Sequence, residues 1–498
     1  MKPAQKTPVL IVGAGPVGLA ASIDLALHGI ASIVCDDQEA VSAGSRAICW
    51  SQRTLEIFDR LGVGARMAAK GVTWKVGRLF HRDREVYAFD LLPESGHKMP
   101  AFINLQQFHV EHYLIERCAD FPDLIDLRWE SRVSGVNQDN SGVRVRVTTP
   151  QSDYEITAEY LIACDGSRSS VRQELGLDFA GEKFEERFLI ADVRMQADFP
   201  PERWFWFEPP FHNGQSALLH KQPDNIYRID LQLGPDADPE QERQPERVTS
   251  RIKVMLGERA FELVWVSVYA FQCRRLARFV QDRVIFAGDS AHVVSPFGAR
   301  GGNGGIQDID NLCWKLAAVL RGEAGPMLLE SYNEERLRAA DENILHSSRA
   351  TRFMSPQGRV ARAFRAAVLA LAAEAPFARR LVNSGRLSQP CSLDGLSLQT
   401  PAAQGTGLAP GAPCPDAPHG EGWLLNALGG RFYVLAIGGG AAPTVEGLTS
   451  VHADSAEALT RYGDDNVYLI RPDQHVAARW NAPSSDAIMQ AWRRALGF

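Results

Sequence analysis

The sequence predicts an α/β chain: a parallel-sheet unit interrupted by a second, mixed β-sheet, then long helices and a small α/β unit at the end. Three observations carry that prediction. A glycine-rich turn stands between a strand and a helix at residues 13–18. Residues 187–272 change to short alternating strands separated by turns. A second glycine-rich run at 298–305 leads into two long helical stretches.

The first unit reads as βαβ. An apolar strand at 9–12 runs into Gly13-Ala14-Gly15-Pro16-Val17-Gly18, a helix is predicted over 16–28 with Gly29 ending it, and a second strand follows at 31–35. In such a turn the first glycine permits the tight bend. The second lets a pyrophosphate approach the backbone, and the third lets helix pack on strand. Pro16 suits the first helical position, and the helix start offers free N–H groups to phosphate. Asp36, or Asp37 if the register differs by one, stands where an acid binds ribose hydroxyls. The unit is therefore Rossmann-like and dinucleotide-binding.

Residues 102–180 mix a helix at 105–119 with strand pairs, and Ser141-Gly142 reads as the turn between 132–138 and 143–149. Strand 160–162 precedes Asp165-Gly166. Strands at 188–195, 204–208, 216–221 and 227–233 suggest a sheet inserted into the first domain, with an exposed Pro/Asp/Glu-rich loop at 234–245. Strand 283–287 then returns to the first texture and ends at Gly288-Asp289, where an acid suits a ribityl or ribose hydroxyl. Five glycines fall within Gly298 to Gly305, after Pro296 and Phe297. Close approach of the backbone to a large planar ligand accounts for them, with Gly301, Asn303 and Gly304 at the start of a helix whose N–H groups stabilise negative charge. Helices are predicted at 305–321 and 326–351, a Pro/Gly-rich linker at 388–418, and a final α/β unit to 498.

Composition narrows the rest. The net charge of −7, from 53 basic and 60 acidic side chains without blocks of one sign, gives no footprint for nucleic acid. No apolar run reaches the roughly 18 residues of a membrane span, and the richest, 366–373, reads as a buried helix. No apolar leader is read before the first strand, so a cytoplasmic location is expected. None of the eight cysteines forms CxxC, so neither a metal cluster nor a dithiol pair is expected.

The three glycine segments, in this order, resemble the para-hydroxybenzoate hydroxylase-type family, the class A FAD-dependent aromatic monooxygenases, over about residues 8–390. Within it the chain is most similar to the branch of phenol, polyketide and 3-hydroxyphenylpropionate hydroxylases. The resemblance implies FAD, with Arg46 as an FAD-contacting arginine, Gln107 as a flavin-proximal glutamine, and Asp165-Gly166 facing both FAD and the nicotinamide cofactor. It implies NADH or NADPH as co-substrate, O2, a flavin C4a-hydroperoxide, and an electron-rich or phenolic ring as substrate. It implies a division into residues 1–186 and 273–390 for FAD, 187–272 for substrate, and 391–498 as a thioredoxin-like tail without CxxC, whose exposed face would suit a homodimer. Gly302 departs from the family, whose members often carry a larger apolar residue there.

The substrate pocket is expected on the inserted sheet. Trp204, Phe205, Trp206 and Phe207 alternate, so one pair faces inward. His220 is a candidate base, Arg228 a candidate carboxylate holder, and Tyr227 and Tyr269 further candidates for catalysis; an ordinary surface role is the alternative for each. His292 is expected to support the flavin or the fold. Baeyer–Villiger oxidation, epoxidation or halogenation, or flavin binding without turnover, are the competing readings.

Overall fold

The computed structural model describes residues 5–41, 47–212, 214–234, 236–382, 387–402 and 405–498. Four apolar segments, Gln5–Val12, Ser32–Cys35, Ile125–Arg128 and the end of Asp153–Ala163, pair as parallel strands, and Val284–Phe286 adds to the far side of Asp153–Ala163. Val9, Leu10, Ile11, Leu161, Ile162, Val284 and Ile285 are fully buried, as expected for strands covered on both faces. Helices Pro16–Leu27 and Gly301–Leu320 lie against this sheet and each other. The strand pair predicted around Ser141-Gly142 is present as Arg132–Asp139 and Gly142–Thr148, with Gly142 at φ 155°.

The second sheet has eight strands. Its order is His292–Val293, Glu262–Arg275, Ala180–Arg194, Ile226–Leu233, Ala217–Lys221, Arg203–Phe207, Val76–His81, Arg84–Asp90. The strands at 76–90 were not expected in it. They join because Val76–His81 pairs in parallel with the aromatic strand Arg203–Phe207. Period-two alternation divides the sheet into two faces. Leu189, Ala191, Tyr227, Ile229, Leu231, Trp204 and Trp206 pack under helix Pro245–Leu256. Phe188, Phe205, Phe207, Leu218 and Phe271 pack on the other face, with Phe297 and the helical residues Met354, Leu369 and Ala372.

Helix Gly301–Leu320 begins four residues before the predicted start at 305, and Leu328–Met354 and Gly358–Glu374 follow. The apolar run 366–373 is buried only at Val368, Leu369 and Ala372. Phe364 and Leu371 on the outer side are exposed, which corrects the buried-helix reading. Among the described residues no helix is long and apolar enough to cross a membrane. The C-terminal unit is a four-stranded sheet in the order Thr449–Ala453, Tyr433–Ile437, Val467–Ile470, Val476–Trp480. Its loop Arg471–His475 enters between helices Gln52–Arg60, Gly301–Leu320 and Leu328–Met354 through buried bonds to Arg53, Asn311 and Glu335.

Candidate active site

The glycine turn stands at the carboxyl end of the parallel strands, where open α/β sheets take their ligands. Gly13 has φ 105°, and a Cβ there would stand 2.5 Å from the Cys164 carbonyl oxygen, so strand Asp153–Ala163 ends tight against it. A Cβ on Gly18 would meet the Gly13 carbonyl oxygen at 1.9 Å. Gly15 differs from both, because a Cβ there would find nothing within 4 Å. The turn is thus closed on its protein sides and open at Gly15, which caps helix Pro16–Leu27 with its backbone alone. Of the two acids, Asp36 is the one bonded to the turn. Its Oδ2 accepts the Ala14 N–H at 2.6 Å and its Oδ1 the Gln38 N–H at 2.9 Å, whereas Asp37 is exposed and turned to Gln38. Burial raises the pKa of Asp36 against the pull of those two N–H groups.

The second segment is organised by Asp308. Its Oδ2 accepts the Gly288 N–H at 2.9 Å and His292 Nε2 at 2.8 Å, and its Oδ1 accepts Arg336 Nε at 2.7 Å. Burial opposes ionisation of Asp308, but His292 and Arg336 outweigh it and hold the carboxyl below its usual range. His292, stacked on Phe279, thereby supports the turn that presents Asp289. Asp289 is exposed while Gly288 and Ser290 on either side are buried. A Cβ on Gly305 would strike Val17 at 2.7 Å, so the glycine-rich helix packs against the first helix, whereas Gly301 meets nothing closer than 3.8 Å. Asn303 is occupied by the protein. It accepts the Ser51 N–H at 3.0 Å and donates to the Cys49 carbonyl at 2.9 Å. At Gly302 a Cβ would reach Trp50 at 3.4 Å, so a larger residue would lean on that indole. Pro296 is exposed beside Phe297.

The third segment adjoins the first. Asp165 Oδ2 accepts the Val171 N–H at 3.0 Å and Ser170 Oγ at 3.1 Å, while its Oδ1 is buried without a partner. Gly166 has φ 77° with open space around it. Gln107 Oε1 accepts the Ala47 N–H at 3.2 Å, and its amide donates to Glu111. Arg46 lies outside the described residues. A bare turn open at Gly15, an orphaned carboxylate oxygen at Asp165 and a helix start open at Gly301 fit the phosphates, ribityl chain and ring of a flavin dinucleotide.

The inner face of the second sheet, where the substrate pocket is expected, is aromatic. Phe205 and Phe207, not Trp204 and Trp206, are the inward pair. They line a cavity of about 340 Å³ together with Arg203, Phe297, Gly298, Phe353, Met354 and Leu381. Across the strands, register aligns Arg203, His220, Arg228 and Asp192 in one row, and Phe205, Leu218, Asp230 and Ile190 in the next. Arg203 makes no hydrogen bond or ion pair among the described residues, and the aromatic strand's alternation puts it in phase with Phe205 and Phe207. Sequence reasoning missed it, although that phase was its signal.

Two catalytic expectations are corrected here. Tyr227 points to the outer face, where its hydroxyl donates to the Ala197 carbonyl at 2.7 Å, because alternation sets it opposite to Arg228. Arg228 is not a free cation for a substrate carboxylate, because its Nε and Nη2 donate to the two oxygens of Asp192 at 2.8 Å. None of His220, Tyr227 and Arg228 has a surface role, since all three are buried. Tyr269 packs on the inner face near Phe271 and Phe297. His220 is also on that face. Burial, then Arg203 and Arg228, push its pKa well below the usual value, so it is neutral.

An open parallel sheet with a glycine turn at its switch point, coupled to an aromatic-lined second sheet, defines a two-part flavoprotein. A family model described as "FAD binding domain" matches residues 6–347, and the chain belongs to that family. FAD is the cofactor of that family. A flavin-dependent monooxygenase of Mycobacteroides abscessus is 33% identical over 353 residues, 67% of this chain and 71% of that one. A 3-(3-hydroxy-phenyl)propionate/3-hydroxycinnamic acid hydroxylase of Mycolicibacterium smegmatis is 28% identical over 375 residues, 75% of this chain and 66% of that protein, slightly under two thirds of its length. The 12-dehydrotetracycline 5-monooxygenase/anhydrotetracycline 6-monooxygenase of Streptomyces rimosus is 31% identical, with 69% and 68% covered. The fold is that of the flavin-dependent monooxygenase PieE, with a TM-score of 0.83 at 22% identity and 99% of both chains covered.

Proposed function

We propose that this chain is an FAD-dependent monooxygenase that uses NADH or NADPH and O2 to hydroxylate an aromatic ring carrying an acidic group. One observation carries the substrate class: an aromatic-walled cavity, beside Gly298 where the flavin segment begins, holds the unpaired cation Arg203. Bound FAD supplies the redox chemistry, taking electrons from the nicotinamide and delivering one atom of O2. The chain does the rest. The turn at 13–18, Asp36, Asp165, Asp289 and the helix start at Gly301 hold the dinucleotide. Phe205, Phe207, Phe297 and Phe353 stack the ring and keep water from it. Arg203 takes the acid and sets which ring carbon faces the flavin. The inner sheet face, in residues 187–272 with the adjoining strand at 76–81, is the substrate-binding part. The flavin is held by residues 1–186 and 273–390.

The test is oxidation of NADH and NADPH with oxygen uptake by the purified yellow protein, across phenols, hydroxybenzoates and hydroxyphenylpropionates. A hydroxylated acid whose presence stimulates both rates supports the reading. Stimulation by neutral phenols alone removes the acid from the proposal. FAD binding with no stimulation by any compound, or a product with oxygen inserted elsewhere than on the ring, overturns hydroxylation. Light scattering on the same sample tells whether two copies associate.

A further inference from the structure

Asp230 is the carboxyl on the inner face that the protein itself leaves unused. Strand Ile226–Leu233 is central in its sheet, between Ala180–Arg194 and Ala217–Lys221, so no edge exposes its side chains. Arg228 on the same face is buried, yet the Asp230 side chain retains 18% exposure. By alternation the side chain is on the inner face, though it is not among the residues that line the cavity. Oδ1 of Asp230 is buried and has no hydrogen-bond partner among the described residues, and Oδ2 stands 3.8 Å from His220 Nε2, too far for a hydrogen bond. A buried carboxyl left unpaired is costly, and in a site it points to a missing donor.

The surroundings select the donor. Asp230 stands in one row with Leu218 and Phe205, two strands from the cavity wall, roughly 10 Å away at normal strand spacing. Arg203 lies one row over. That separation is about the length of a benzene ring with a short acidic chain. We propose that Asp230 is the catalytic residue that accepts the proton of the substrate's ring hydroxyl, with neutral His220 as its partner. This rests on the hydroxylase reading above.

Among the described residues, the charged and titratable groups facing Asp230 are Arg228 on its own strand, Asp192 and His220 on the two neighbouring strands, Arg203 one strand further, and Cys49 behind His220. Cys49 is protonated, since burial pushes its thiol up to about 11, and its Sγ donates to Asn104 Oδ1 at 3.2 Å. Burial raises Asp230 to about 6, against the pull of Arg228, so the accepting carboxylate exists at neutral pH. In the step, the ring O–H bond breaks with its proton going to Asp230. The electron pair moves into the ring as the ring receives the oxygen atom that the family's chemistry supplies. When the ring carbon sheds its own hydrogen to solvent, the product oxygen takes back the proton from Asp230.

The experiment compares the wild-type holoenzyme with Asp230→Asn, using the hydroxylated acid that best stimulates NAD(P)H oxidation. The variant is expected to hold FAD and oxidise NAD(P)H but to form product on the order of 10²-fold more slowly or worse, releasing hydrogen peroxide instead. It should also regain product formation as pH rises toward the substrate's own phenolic ionisation, which a structural role would not produce. In wild type, substrate affinity read from the flavin spectrum should fall as pH drops through about 6. Wild-type coupling in Asp230→Asn, or a variant without the high-pH rescue, overturns the proposal. If the variant does not fold, wild-type affinity that is level between pH 5 and 7 overturns it. If no compound stimulates the wild type, it is the hydroxylase reading that has failed.

Discussion

Two buried polar clusters in this protein look alike in composition and differ in whether they are finished. Between the flavin unit and the C-terminal unit, Arg471, Glu335, Asp473 and Lys315 are all fully buried. Arg471 donates to both Glu335 oxygens at 2.5 and 2.9 Å and to Asp473, Lys315 adds a bond to Glu335 at 2.6 Å, and Asn311 donates to Asp473 at 3.1 Å. On the inner sheet face, Asp230 and His220 stand 3.8 Å apart and Arg203 faces a cavity unpaired. A cluster whose members satisfy one another holds units together. One that leaves groups unsatisfied is waiting for a ligand.

The largest expected effect would break the finished cluster. Arg471→Met leaves Asp473 buried without the guanidinium and Glu335 with Lys315 alone, and should cost about 3–5 kcal/mol. The denaturant midpoint and retained FAD would show it, and an unchanged midpoint would mean the cluster is not the clamp it looks to be. The same cluster sets an acid limit. Burial raises Glu335, but Arg471 and Lys315 outweigh it and hold it far below its usual value, and Asp473 is lowered too. A depressed carboxyl contributes stability that is fully present above its unfolded value and lost as pH falls below it. Unfolding free energy should therefore drop from about pH 4.5 downward, with Arg471→Met showing a shallower drop.

A smaller effect separates holding from folding in the flavin half. Gly15→Ala fits the backbone and has open space around it. The apoprotein should melt as wild type does, while FAD affinity falls tenfold or more, about 1.4 kcal/mol. Equal FAD affinity would remove the phosphate from that turn. In the substrate half, Arg203→Met should raise KM for an acidic substrate roughly 10–100-fold with kcat little changed, the worth of a hydrogen bond to a charged group. It should leave a neutral phenol unaffected. The smallest effect belongs to the outer face. Tyr227→Phe removes one hydrogen bond to Ala197 and should cost about 1 kcal/mol of stability with turnover unchanged. A loss of turnover there would undo the assignment of the two faces.

The flavin half was legible because its constraints are local. Gly13, Gly18 and Gly166 are required by backbone angles or contacts within a strand-turn-helix, and Asp36 follows within 22 residues of Ala14, to which it bonds. The substrate half was legible only as texture. The alternation of Trp204 to Phe207 was plain, yet nothing in the chain said which phase faces inward. That choice is made by helix Pro245–Leu256 covering one side and Phe297 with Met354 the other. Arg228 was misread because its partner Asp192 lies 36 residues away and meets it only through strand register. Asp230 was passed over because an aspartate in a strand carries no signal until its neighbours are known to leave it unpaired.

By itself the sequence determined the architecture of a flavin-binding α/β chain, because strand period, glycine turns and helix starts are properties of short segments. Only the tertiary structure decided which side chains do chemistry. Whether a buried charge is paired or available depends on groups brought together from distant parts of the chain, as with Arg228 beside Asp192, Arg471 beside Glu335, and Asp230, whose Oδ1 no described residue bonds.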